Sequence, residues 1–170
     1  MKIGKIARYS LLIAVALILS YVEAQIPAFF AVPGMKLGLT NLVVLVALYL
    51  MDEKSAILIN LLRIVLVSVL FGNGMSLAYS VAGGLLSGLV MILLKRTGRF
   101  SIVAVSVAGG VAHNIGQILV AMVLLGTGSL AWYLLILWFT GIGAGAVIGI
   151  LGGLLCKRLE ALVGNGGKRQ

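Results

Sequence analysis

The chain carries little that catalysis draws on. Its 170 residues include four carboxylate side chains, one histidine, one cysteine and two prolines. Asp52 is the sole aspartate, so the carboxylate sets that hold magnesium for diphosphate chemistry are missing. His113 and Cys156 stand in different segments, which leaves no His/Cys/Asp/Glu metal cluster to read. A single cysteine allows no internal disulfide, and Cys156 is expected to be inert. No glycine-rich phosphate loop ends in Lys-Ser or Lys-Thr, so ATP hydrolysis by this chain is not expected. Neither a cofactor nor independent catalysis follows from these residues.

Charge is equally scarce, at 10% of residues against 62% apolar. Soluble domains carry roughly 25% charge. A domain of this size could not hide so much apolar surface from water. The composition excludes a soluble enzyme and a disordered chain. It predicts an all-α integral membrane protein, with residues 1–170 forming one domain.

A spanning helix takes roughly 20 mostly apolar residues. Six candidate spans follow, at about 6–26, 37–51, 55–71, 77–94, 101–125 and 130–155. The second would rise only about 22 Å, short of a hydrocarbon core of roughly 30 Å. A re-entrant pair formed by the second and third is the alternative topology. The breaks between spans are too short to hold a soluble domain.

The net charge of +9 first suggests a nucleic-acid partner. Its distribution says otherwise. With the N-terminus in the cytoplasm, Lys2, Lys5, Arg8, Lys54, Lys95, Arg96, Arg99, Lys157, Arg158, Lys168 and Arg169 all fall on the inner side. Only Lys36 falls outside, and Arg63 lies within the third span. This is the positive-inside pattern of a six-span protein with both termini cytoplasmic, and it favours contact with an anionic inner leaflet. No basic face on a soluble surface remains for nucleic acid. Lys2, Lys5 and Arg8 before an apolar run resemble a signal peptide, but the run ends in Glu23-Ala24-Gln25 without a clear cleavage site.

What the chain has in quantity is glycine, 23 residues of it. Gly141, Gly145, Gly149 and Gly153 recur every four residues, as do Ala104, Ala108, Ala112 and Gly116. Ser80, Gly84 and Gly88 form a shorter row. Ser10 with Ala14, and Ala16 with Ser20, are small pairs in the first span. Small residues let helices approach closely in lipid, where no hydrophobic drive exists between them. The span-six row and the span-one pairs are candidate partner-docking faces, with packing inside the chain as the other reading.

Strongly polar residues within spans are few, and such residues usually face a cavity or the bundle interior. Arg63 shares a helix face with Asn60, and His113 shares one with Gln117, with Asn114 about 100° round. Lys36 and Asn41 flank the outer start of the second span, Asn73 follows the third, and Glu23 and Gln25 end the first. The set is biased towards the outer half, which predicts a cavity opening outward. A lone arginine suits an anionic group, because its forked donors match carboxylate or phosphate. An ion pair with Glu23 is the other reading of Arg63. His113 reads as a proton relay, a ligand-binding group or an interhelical hydrogen bond. Substrate-binding candidates are therefore Lys36, Asn41, Arg63, Asn73, His113, Asn114 and Gln117.

Three motifs carry a family resemblance over roughly residues 6–155. They are Val32-Pro33-Gly34-Met35-Lys36-Leu37-Gly38-Leu39-Thr40-Asn41, Arg63 with Phe71-Gly72-Asn73, and His113-Asn114-Ile115-Gly116-Gln117. The chain resembles the Gx transporter family, also labelled heptaprenyl diphosphate synthase component I. That family resembles the substrate-binding S components of energy-coupling factor (ECF) importers. The resemblance implies a six-helix bundle and a site near the outer side under the loop Pro27 to Lys36. It also implies a cytoplasmic ATPase module built from other chains. S components often dock through Ala-x-x-x-Ala on the first helix, where this chain has Ser10/Ala14 and Ala16/Ser20. The expectation is a subunit of the bacterial plasma membrane that captures a small anionic or amphipathic molecule, such as a vitamin, a flavin or a quinone or isoprenoid precursor. A non-catalytic accessory of polyprenyl diphosphate synthesis is the second expectation, and a structural scaffold the third.

Overall fold

The computed structural model describes residues 3–25 and 38–166, and the described chain is helical. Six α-helices follow in order: α1 (Ile3–Gln25), α2 (Asn41–Leu50), α3 (Glu53–Phe71), α4 (Gly74–Thr97), α5 (Ile102–Leu125) and α6 (Tyr133–Gly166). A short 3-10 turn, Gly128–Trp132, leads into α6. Four stretches are long and apolar enough to cross a bilayer: Ile6–Glu23, Gly74–Thr97, Ile102–Leu125 and Gly128–Ala161. Helix α3 has 19 residues but includes Glu53, Lys54 and Arg63.

The expected span at 37–51 is corrected to a ten-residue helix. At 1.5 Å per residue α2 rises about 15 Å, half a hydrocarbon core. The cause lies in its entry. Gly38 adopts φ +84°, a left-handed conformation that glycine takes without penalty. The Asn41 amide then donates to the Gly38 carbonyl at 2.8 Å, closing a turn before the helix starts. Elsewhere the starts are capped by side chains: Asp52 accepts from the Ser55 amide, Asn73 from Ser76 and Ser101 from Ala104.

Helices α3 and α4 turn polar and small residues inward beside the apolar core that α2 fills. Along α3, Ser55, Ala56, Ile59, Asn60, Arg63, Ile64 and Val67 are buried, while Ile57, Leu58, Leu61, Leu62, Val65, Leu66, Val69 and Leu70 are exposed. The polar groups of its middle face in and most of its branched aliphatics face out, the arrangement lipid selects. Helix α4 repeats it, burying Ser76, Ser80, Gly83, Gly84, Ser87 and Gly88 and exposing Leu77, Leu85, Leu89 and Leu93.

Helix α5 is central and packs most extensively on α4 and α6, whereas α1 touches only α2 and α3 among the described elements. Glycines set the α5–α6 spacing. A Cβ at Gly145 would stand 2.6 Å from Val107 Cα, and one at Gly149 would stand 2.7 Å from Val103 Cα. Gly141 lies against Gly110 and Val111, and Gly153 against Ile102. The four-residue row of α6 is thus occupied by packing within the chain, and is not an open docking face. In α1 the two small pairs separate: Ala16 and Ser20 are buried, Ser10 and Ala14 exposed.

One end of the bundle gathers the basic residues. There Arg96 grips Glu53 at 2.5 Å, and Tyr9 shares a 2.7 Å hydrogen bond with Ser55. Lys95 donates to the Leu48 carbonyl in the last turn of α2 and lies over the Tyr49 ring. A cation at that position satisfies an end-of-helix carbonyl and complements the helix dipole.

Candidate functional site

Polar side chains from four helices converge inside the bundle. From α3, the Arg63 guanidinium is 5% exposed and donates from Nε and Nη2 to Asn60 Oδ1, at 3.1 and 2.7 Å. Its Nη1 donates to Thr40 Oγ1 at the entry to α2. A guanidinium has five N–H donors, so these three bonds leave two for another acceptor. Asn60 is held in turn, its Nδ2 donating to the Gly84 carbonyl at 2.9 Å.

Glu23, buried at the end of α1, is the anionic charge that acts on Arg63. Its Oε1 accepts from the backbone amides of Gly38 at 2.5 Å and Leu39 at 3.2 Å. One carboxylate therefore ties α1 to the turn that opens α2. Chain separation between the partners is 15 residues.

On the other side stands α5. Gln117 Nε2 and His113 Nε2 lie 3.1 Å apart. Gln117 is fully buried, and its Oε1 has no hydrogen-bond partner among the described residues. A buried amide oxygen without a donor is costly and marks a place for one. Close packing at Gly38 joins the two halves: a Cβ there would stand 3.1 Å from Asn41 Nδ2 and 3.3 Å from His113 Cδ2. From α4, Gly83 makes room for His113 and Gln117, and Gly84 for Asn60 and Ile64. That glycine pair lets polar groups on α3 and α5 approach from opposite sides.

Of the seven binding candidates, Asn41, Arg63, His113 and Gln117 come together here. Asn114 does not join them, because its Nδ2 donates to the Leu137 carbonyl of α6 at 2.6 Å. Asn73 does not either. It caps α4 through the Ser76 amide at 2.8 Å and is exposed. Lys36 lies outside the described residues, as does the loop Pro27 to Lys36. Thr40 and Glu23 belong to the cluster although neither was among the candidates, and Asn60 had been noted only as sharing the Arg63 face. Glu23 enters through the other sequence reading of Arg63, as its ion-pair partner, and its charge acts on Arg63 in the structure.

Chemically, the cluster offers a buried cation, amide donors, one unmet acceptor and an imidazole. Among the described residues no group of three His, Cys, Asp or Glu could hold a metal ion. The arrangement suits recognition of an anionic or hydrogen-bonding ligand.

No curated protein and no solved structure matches this chain. The family model for heptaprenyl diphosphate synthase component I matches residues 12–155, most of the sequence, and spans every described residue of the cluster. This chain, with its membrane-type helices, belongs to the heptaprenyl diphosphate synthase component I family.

Proposed function

We propose that the protein is a membrane-embedded substrate-capture subunit, resembling the S components of ECF importers. It binds a small anionic or amphipathic molecule, and its ligand sits against Asn41, Arg63, His113 and Gln117, with Lys36 supplied by the outer loop. The observation that carries this reading is Arg63. It is a buried arginine with N–H donors beyond its bonds to Asn60 and Thr40, and Thr40 and Asn41 adjoin Gly38, which packs against His113 of α5.

In this reading six membrane elements place both termini in the cytoplasm of a bacterium, α2 being a half-length one. The convergence of Arg8, Lys54, Lys95, Arg96 and Arg99 near the Glu53 end supports that orientation. Energy comes from partner chains with an ATPase module, because the sequence carries no nucleotide motif. The exposed Ser10 and Ala14 face of α1 is the surface offered to a membrane partner.

Native mass spectrometry of the purified protein tests the reading. A bound anionic or amphipathic molecule is expected with the wild type and is expected to be missing from Arg63→Ala. Retention of the same mass by a folded Arg63→Ala protein would sink the assignment.

A second reading is a non-catalytic accessory of polyprenyl diphosphate synthesis. The family description favours it. So does an apolar cleft between α3 and α4 that could lodge an isoprenoid tail. Recovery with a prenyltransferase and without an ATPase module would select it.

A further inference from the structure

The apolar cleft has a definite relation to the polar cluster. It encloses about 300 Å³ and is lined by residues of α2, α3 and α4, including Val44, Leu48, Ala56, Gly88 and Met91. Its one side chain with hydrogen-bonding capacity is Asn60, the residue that holds Arg63. Ile57, Leu85 and Leu89 stand at its rim and are 43%, 48% and 54% exposed on the lipid-facing surface. The cleft therefore opens sideways to the bilayer and ends inward at Asn60, whose Oδ1 accepts from Arg63 behind it.

Gly88 distinguishes this space from ordinary helix packing. Glycines at helix contacts here meet neighbouring atoms closely, as Gly84 does, where a Cβ would stand 2.7 Å from Ile64 Cδ1. A Cβ at Gly88 would have one neighbour within 4 Å, Asn60 Nδ2 at 3.7 Å. No backbone atom of another described helix comes within 4 Å of that Cβ. The missing side chain leaves room in the wall of the cleft, beside the amide of Asn60. Volume of this size is at the lower end of small-molecule pockets, and an apolar space of this kind takes up hydrocarbon rather than water.

We infer that the α3–α4 cleft seats the hydrocarbon tail of a single-chain anionic amphiphile, which enters laterally from the bilayer with its head directed to Arg63. The inference rests on the reading of Arg63 as an anion site and adds the substrate class. The tail lies along Gly88 and Met91 towards the basic end of the bundle. Its head meets the Asn60–Arg63 pair, where charge complementarity selects an anion. The tail needs no water-filled path, because both tail and cleft are apolar, whereas the charged head, costly in hydrocarbon, depends on the polar cluster around Arg63.

The test uses the full chain in phosphatidylcholine nanodiscs, with radiolabelled dodecyl phosphate as probe. Wild type is expected to bind it saturably. Gly88→Leu, which fills the wall, and Leu85→Trp, which blocks the rim from a lipid-facing position, should each weaken binding at least ten-fold. Leu85→Trp keeps the test open if Gly88→Leu does not fold. Arg63→Ala should abolish saturable binding. If Arg63→Ala abolishes binding and both cleft variants leave it unchanged, the cleft proposal is overturned while the anion site stands. If the cleft variants weaken binding and Arg63→Ala does not, the head placement is wrong and the anion-site reading falls with it. Absence of saturable binding by the wild type overturns the amphiphile. Full displacement by phosphatidylglycerol in the nanodisc would identify a resident phospholipid as the occupant, and would also overturn it.

Discussion

Asn60 Oδ1 accepts two hydrogen bonds from Arg63 while Asn60 Nδ2 donates to the Gly84 carbonyl. One amide thus links α3 to α4 and fixes the direction of a buried cation. Asn60→Leu removes the acceptor and leaves charged donors buried without it. A hydrogen bond to a charged group contributes about 1.5–3 kcal/mol, so the variant should lose at least about 2 kcal/mol of stability. Denaturant unfolding in detergent measures this. Asn60→Asp keeps the acceptor and adds a negative charge beside Arg63. It should fold, yet lose the molecule carried by the wild type in native mass spectrometry. Equal occupancy would show that the guanidinium charge is not what holds the ligand.

Glu23 is already an anion acting on Arg63, and so competes with any anionic ligand. Glu23→Gln retains a carbonyl acceptor for the Gly38 and Leu39 amides but removes the charge. The ligand-free variant should be less stable by about 1–3 kcal/mol, because a buried charge loses its compensation. Dodecyl phosphate should then raise its Tm more than it raises that of the wild type. A smaller rise in the variant would mean that Glu23 assists binding and does not compete.

Much of this was legible in the sequence, and the failures have physical causes. Composition alone marks a membrane protein, and helix periodicity pairs Arg63 with Asn60 and His113 with Gln117. Spacing on one helix does not say which neighbour a polar side chain reaches. Asn114 sits one residue from His113 yet turns to α6, and Asn73 spends its side chain on a helix cap. The glycine row of α6 reads equally as a docking face or as packing, because the sequence does not say what lies opposite it. Only the position of Val103 and Val107 decides. The shortness of the second span was legible, but its start at Asn41 was not, because nothing in the run 37–51 shows that Gly38 opens a turn before the helix.

Two glycines of α6, two residues apart, should respond oppositely to added volume. Gly145 faces α5, and Gly143 has nothing within 4 Å of a built Cβ. Gly145→Val should force α5 and α6 apart and cost about 1–3 kcal/mol, the usual range for overpacking. Gly143→Ala should be neutral or stabilise by up to about 1 kcal/mol, since alanine restricts the unfolded chain and favours helix. Thermal unfolding of the two variants checks the pair. Similar losses at both sites would mean that the opposite face of α6 is also covered.

The Glu53–Arg96 pair is exposed, and its hydrogen bond holds the Glu53 carboxyl below its ordinary range. A depressed carboxyl stabilises the folded chain above the unfolded glutamate value of about 4.3 and loses that contribution as pH falls through the lower folded value. Glu53→Gln should therefore melt slightly below the wild type near neutral pH. The difference should vanish in acid and shrink with added salt, because exposed pairs are screened. A constant difference at all pH values would assign the effect to packing.

The proposed orientation rests on where the charges lie, and labelling tests it. Gly98 closes α4 beside Lys95, Arg96 and Arg99, while Ser129 lies in the 3-10 turn between α5 and α6, at the far end of α5. Both are exposed. The expected topology puts Ser129 outside and Gly98 in the cytoplasm. In a Cys156→Ala background, Ser129→Cys should react with a membrane-impermeant maleimide on intact cells. A cysteine replacing Thr97, exposed next to the cap glycine, should react only after permeabilisation. Thr97 serves better than Gly98 itself, whose φ of +65° a side chain would strain. Reversed labelling would put the basic end outside, and would turn the polar cluster's entry towards the cytoplasm. Labelling of both sites on intact cells would break the single-pass geometry of α5, and with it the six-element topology.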